Sequence, residues 1–279
     1  MKKFAVLGVY RENVYSPGKV REDAAILDAA LAELVRAGYP VSTVEARDLE
    51  KVCRRPSFLL TMSQSEQALG ILEGWQKKGI RIINSVSSIR NTYRKPLISL
   101  LKSALAPIPP SRILRLEEVG REIPFGPLDS YWLKRGDVHA MEPGDVTKVA
   151  SKRELVEALD HFRRRGIEEI LVQHHVEGDV IKFYGVGPGR YFRAFMTSSG
   201  TEVTSLAEGL STLAHRCAEA VGLEIYGGDA IFSPRAGFTI VDLNDWPSFA
   251  RCGPTAAREI AQYAATVCKG GANGLPSRC

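Results

Sequence analysis

The first 95 residues alternate short apolar runs with amphipathic stretches, and that alternation constrains the fold more than any other feature of the chain. Phe4 to Val9 is a continuous apolar run of the kind a parallel strand covered on both faces shows. Arg21 to Ala37 carries Ala24, Ile26, Leu27, Leu31, Leu34 and Val35 at close to helical spacing, with Gly38 placed to end the helix. Val41 to Val44 and Phe58 to Met62 read as further strands. Glu66 to Lys77 reads as a helix stopped by Gly79, and Arg81 to Ile83 as a fourth strand. This rhythm predicts a parallel α/β sheet.

Beyond it, Lys95 to Leu105 is an amphipathic stretch, and Pro107, Pro109 and Pro110 prevent its continuation. Strands are expected at Tyr131 to Lys134, Ile170 to Val176 and Val180 to Val186. Helices are expected from Lys152 to Arg165, Leu206 to Val221 and Pro254 to Val267. Gly228 to Ser233 and Phe238 to Leu243, joined by a Pro-Arg-Ala-Gly turn, form a hairpin. The organisation expected is an N-terminal α/β domain over 1–95, a central α+β unit over 96–178, and a C-terminal unit over 179–268. A flexible tail over 269–279 follows, rich in turn formers.

Of the 279 residues, 44% are hydrophobic and 25% charged, a globular composition. No apolar run reaches the ~18 residues of a membrane span, and FAVLGVY is too short for a signal segment. A soluble, cytoplasmic protein is expected, with no membrane partner. The charge of +5 comes from 37 basic and 32 acidic residues spread along the chain. With no aromatic-studded basic stretch, a nucleic-acid groove is not expected. The five scattered cysteines support neither a disulfide framework nor a zinc site.

The chemistry concentrates in GGDAIF and TIVDLNDWPSF. Strand side chains alternate, so Asp242 and Asn244 share a face, and Asp229 on the paired strand can join them. Two carboxylates and an amide are hard oxygen donors suited to magnesium, which takes few protein ligands and fills the rest with phosphate and water. Lys134, closing an aromatic strand, and Lys95, at a helix start, are positioned to meet phosphate. ILVQHHVEGDVIKFYGVG adds Gln173, an acid at Glu177, Asp179, and Lys182 on the following strand. Its adjacent histidines face opposite sides and do not read as a metal pair.

Lys95, Lys134, VQHHVEGD, VIKFYGVG, GGDAIF and VDLNDWPSF, in that order, resemble the ATP-grasp superfamily, as does INSVSSIRNTYRKPLISLLKSALAPIPPSRIL upstream. The resemblance implies an ATP-grasp fold of mixed α/β (α+β) class: a parallel-sheet N-terminal domain, then two α+β domains clasping ATP. It implies that Lys95 and Lys134 contact the nucleotide, and that Gln173, His174 and Val176 form the hinge beside adenine. Glu177 or Asp179 would bind ribose, and Lys182 would face the phosphates or the acceptor. Asp229, Asp242 and Asn244 would hold Mg2+, or Mn2+ in its place. Three features depart from the family. The flap after Lys134, RGDVHAMEPGDV, has only two glycines and carries His139, a candidate contact to phosphate or acceptor. His174 stands where a hinge glutamate is usual, and the first two metal ligands are aspartates where many members use glutamate.

The activity implied is an ATP- and magnesium-dependent ligase that activates a carboxylate as acylphosphate and joins it to an amine, as glutathione synthetases and ribosomal-protein glutamate ligases do. The alternatives are a small-molecule kinase like the inositol trisphosphate kinases and a non-catalytic nucleotide-binding protein. The partner expected is a small acceptor, anionic in character. Arg11, Lys19, Arg190 and Arg193 are the candidate contacts to it.

Overall fold

The computed structural model describes residues 5–54, 56–122, 130–138 and 140–271. The tail beyond 271 and His139, both subjects of expectations above, lie outside the described residues. Strands fall into three four-stranded sheets. The first is wholly parallel, in the order β2-β1-β3-β4, from β1 (Val6–Tyr10), β2 (Val41–Glu45), β3 (Phe58–Thr61) and β4 (Arg81–Ile83).

Burial on both faces explains its apolar runs. Val6, Phe58, Leu60 and Ile83 pack into one core with α1 (Val20–Arg36), while Leu7, Val9, Leu59 and Ile82 point the other way into a second core with α2 (Glu66–Gln76). In α1 the buried Ile26, Leu27, Ala30, Leu31 and Leu34 form one stripe. Leu31 lies so close to β1 that a Cβ on Gly8 would stand 2.4 Å from its Cδ1 and would force that side chain to shift. Ser65 begins α2 by accepting a hydrogen bond from the Ala68 amide at 3.2 Å.

Two short helices, α3 (Val86–Asn91) and α4 (Arg94–Ser103), lead to the second sheet. It is antiparallel in the order β5-β8-β6-β7, built from β5 (Ser111–Arg115), β6 (Tyr131–Arg135), β7 (Val146–Val149) and β8 (Glu169–His174). Helices α5 (Leu116–Glu122) and α6 (Lys152–Arg164) accompany it, and Leu155, Leu159 and Phe162 of α6 fill its core. Strands β5 and β7 escape a periodicity reading: each is short, and neither shows clean alternation.

The third sheet is also antiparallel, in the order β10-β9-β11-β12, from β9 (Asp179–Val186), β10 (Tyr191–Met196), β11 (Ile225–Ser233) and β12 (Gly237–Asp245). Helix α7 (Ala207–Val221) packs with Leu97 and Leu101 of α4 in its core. Helix α8 (Gly253–Gly271) returns to the first sheet, joining α1 in a core that also holds Trp246 and Phe249. The fold class is mixed α/β, one parallel sheet followed by two antiparallel ones, as the sequence implied. Among the described residues no helix is long and apolar enough to cross a membrane.

Candidate active site

Three strands and one helix start converge on the carboxylates of the third sheet. In the β11–β12 ladder Asp229 pairs with Asp242, and in the β9–β11 ladder Asp229 pairs with Lys182. Cross-strand partners share a face, and Lys182 Nζ accordingly donates to Asp229 Oδ1 at 2.7 Å. Asn244 lies two residues beyond Asp242, and its cross-strand partner is Gly227, which has no side chain to cover it. The register shifts immediately after Asp229, a bulge of the kind that re-aims side chains at functional sites.

From the other elements come Arg94 and Lys134. Arg94, the first residue of α4, is 4% exposed, and its Nη1 donates to Asp242 Oδ1 at 2.7 Å. Lys134 on β6 is 7% exposed, and its ammonium reaches the Val241 carbonyl at 3.4 Å. Burial, reinforced by the Arg94 charge, lowers its pKa to about 8, while Asp242 and Asp229 pull in the opposite direction. An ammonium held dry beside a second cation gains strongly from any added negative charge.

Four of these groups border a cavity of about 630 Å³, whose wall includes Arg94, Lys182, Asp242 and Asn244 together with Arg11 and Gln64 from the loops after β1 and β3. The donor set fits a hard divalent cation: two carboxylates and one amide, on paired strands, bordering space for phosphate and water. Among the described residues no three His, Cys, Asp or Glu side chains come together in a way that could hold a metal ion.

Not every expected residue joins the cluster. Lys95 points outward, 66% exposed, and pairs with Glu169 at 3.1 Å. Its neighbour Arg94 takes the inward position. The signal for that was present: Arg94 precedes Leu97 by three and Leu101 by seven, the spacing of one helix face. Gln173 is buried in the second sheet, donating to Ser111 Oγ at 3.2 Å. The exposed His174 lies with its ring 4.6 Å from that of Tyr131, whereas His175 accepts from Trp132 Nε1 at 3.1 Å and reaches Glu177 at 2.8 Å. The two histidines therefore diverge, as strand alternation requires. Val176 and Glu177 lie on the crossing from β8 to β9 and Asp179 opens β9, with Glu177 and Asp179 exposed.

A second buried network lies beyond Asn244. Arg11 donates to Asp23 at 3.1 Å and to the Met62, Asp245 and Trp246 carbonyls. Gln64 Nε2 donates to Asp245 Oδ1. Asp245 has its pKa raised to about 6 by burial, against the lowering effect of Arg11. Neither Gln64 Oε1 nor Asp245 Oδ2 has a hydrogen-bond partner. Gln64 lies in none of the motifs that stand out in the sequence, and Asp245, although inside VDLNDWPSF, alternates to the face opposite Asp242 and Asn244.

No protein-family model matches the sequence, and no curated protein does. Solved structures match almost end to end. The ATP complex of D-alanine–D-alanine ligase from Bacillus anthracis superposes with a TM-score of 0.73 at 13% identity, covering 96% of this chain and 99% of that one. A RimK-domain ATP-grasp protein from Sphaerobacter thermophilus gives 0.68 at 18% identity, covering 93% and 99%. D-alanyl-alanine synthetase A from Vibrio cholerae gives 0.73 at 12%, covering 97% and 98%. The architecture is the ATP-grasp fold.

Proposed function

We propose that this protein is an ATP- and magnesium-dependent ligase that activates a carboxylate as its acylphosphate and passes the acyl group to an amine. The observation that carries this reading is the clustering of Lys134, Arg94 and Lys182 around the strands of Asp229, Asp242 and Asn244, with Arg94, Lys182, Asp242 and Asn244 lining one cavity, within an ATP-grasp fold. Phosphoryl transfer asks mainly for positioning and charge neutralisation, and this cluster supplies both. Lys134 and Arg94 would hold the terminal phosphates. Lys182, already oriented by Asp229, would face the transferring group and the acceptor carboxylate. Asp229, Asp242 and Asn244 would hold Mg2+, which supplies neutralisation of the charge that builds on the phosphates.

Adenine would lie against the crossing from β8 to β9, where His174 to Asp179 link the two antiparallel sheets. Backbone groups there can serve the base without a dedicated side chain. The ligases among the structural neighbours favour the amide-forming outcome over a kinase that stops at phosphoryl transfer.

The test is incubation with ATP, magnesium, hydroxylamine and pools of small carboxylates. Carboxylate-dependent ADP release with a trapped hydroxamate is expected. A stable phosphate ester formed on a polyol would establish the kinase instead, and ATP binding without turnover on any acceptor would leave a nucleotide-binding protein.

A further inference from the structure

Five cations border the site cavity, and three of them are already neutralised. Arg11 is held by Asp23, Arg94 by Asp242 and Lys182 by Asp229. Two of the other cations first considered for an anionic acceptor lie elsewhere: Arg190 pairs with Glu259, and Arg193 pairs with Glu202 and sits over the Tyr191 ring. Among the described residues that line the cavity, Lys19 and Arg251 are the cations without an ion pair.

They approach from different directions. Lys19 stands at the start of α1, whose first turn has no side-chain cap and carries Glu22 and Asp23. Arg251 lies just after the Trp246–Pro247 turn that follows Asn244. Glu22, one helical turn from Lys19, lines the same cavity and offsets part of this charge. On the same wall, Gln64 and Asp245 are 3% and 2% exposed, and each has an acceptor oxygen without a partner. Buried acceptors left unsatisfied cost free energy, and a ligand N–H or O–H group that reaches them after small local adjustment relieves that cost.

We infer that the acceptor carries a second anionic group, held between Lys19 and Arg251, and a hydrogen-bond donor directed to Gln64 and Asp245. One carboxylate meets Lys182 and the transferring phosphate; the other is gripped at the rim. This deepens the ligase reading and rests on it. The substrate class is a dicarboxylate, or an equivalent carboxylate bearing a second acidic group, with a hydroxyl or amino substituent between the two.

Calorimetric titration with malate, succinate and butyrate tests it, in the presence of magnesium and the non-hydrolysable analogue AMPPNP so that the phosphate-binding side is filled. Malate should bind most tightly, succinate more weakly, and butyrate weakest of the three. Lys19→Gln and Arg251→Gln, both exposed positions, should each weaken malate binding about tenfold, the scale of one charge-assisted contact. Both should leave butyrate unaffected. Equal binding of butyrate and succinate, or unchanged malate affinity in the double variant, would overturn the inference. The AMPPNP-induced rise in melting temperature reports separately on the nucleotide, and should persist in both variants. Its absence from the wild type would overturn the ligase reading and this one together; its presence with no malate response would overturn only this one.

Discussion

Lys134 illustrates how burial prepares a side chain for a polyanion. Its pKa in the folded protein, about 8, lies below the ordinary 10.5. The folded state therefore sheds this proton first, and the cost of burying the charge is present at neutral pH. That cost is relieved as pH rises from about 8 towards 10.5. Lys134→Met should accordingly stabilise the nucleotide-free protein at pH 7, by about 2 kcal/mol in a denaturant titration. The same variant should lose most of the MgATP-induced rise in melting temperature that mass action gives the wild type. Bound phosphates hold the ammonium protonated, so wild-type affinity for MgATP should weaken as pH climbs through 8. Lys134→Arg, which stays charged, should flatten that dependence. Asp242→Asn and Asn244→Ala probe the metal ligands. Turnover should fall on the order of 10²–10³, as when one electrostatic stabiliser is removed from other enzymes. Asn244→Ala should melt near wild type without nucleotide. Asp242→Asn is expected to melt lower, because it strips Arg94 of its buried counter-charge. A normal turnover in either variant would count against the metal assignment.

At the scale of elements, the loop between β6 and β7 compensates for its scarcity of glycine. Asp145, fully buried, accepts from Arg135 at 3.3 Å, from Arg165, and from the Met141 and Glu142 amides at 2.8 and 3.1 Å. Asp137 binds Arg135 from the other side at 2.6 Å. Two carboxylates and two arginines thus set the loop's shape, where glycines would leave it adaptable. Asp145→Ala leaves Arg135 and Arg165 partly unpaired and two amides without an acceptor. A loss of about 3 kcal/mol is expected in chemical unfolding, the scale of a broken buried ion pair. The hairpin is as closely fitted. A Cβ on Gly228 would stand 2.2 Å from the Asp242 carbonyl and 2.7 Å from the Phe183 ring, so Gly228→Ala should move the Asp242 strand and depress turnover more than it depresses melting temperature.

For the molecule as a whole, the parallel sheet and the third sheet share one core through α8, Trp246 and Phe249. Arg11 bridges them, joining Asp23 to the Asp245 and Trp246 carbonyls. Arg11→Met should destabilise the whole fold by about 3 kcal/mol in a denaturant titration, since it leaves a buried carboxylate unpaired; Arg11→Met with Asp23→Leu should recover much of that loss. The sequence alone determined the strand–helix alternation of the parallel sheet, the hairpin and the shared face of Asp242 and Asn244, because burial imprints its period on neighbouring residues and strand alternation is local geometry. It also carried the Arg94 spacing, legible once the helix face of Leu97 and Leu101 is drawn. Only the tertiary structure decided which charges are spent on one another. Arg94 meets the Asp242 carboxylate from 148 residues away, and Arg11, paired with Asp23, also reaches the Asp245 carbonyl, and no periodicity encodes such contacts. The packing of α4 on α7 and of α1 on α8 brings them together, and leaves Lys19 and Arg251 lining the cavity without an ion pair among the described residues.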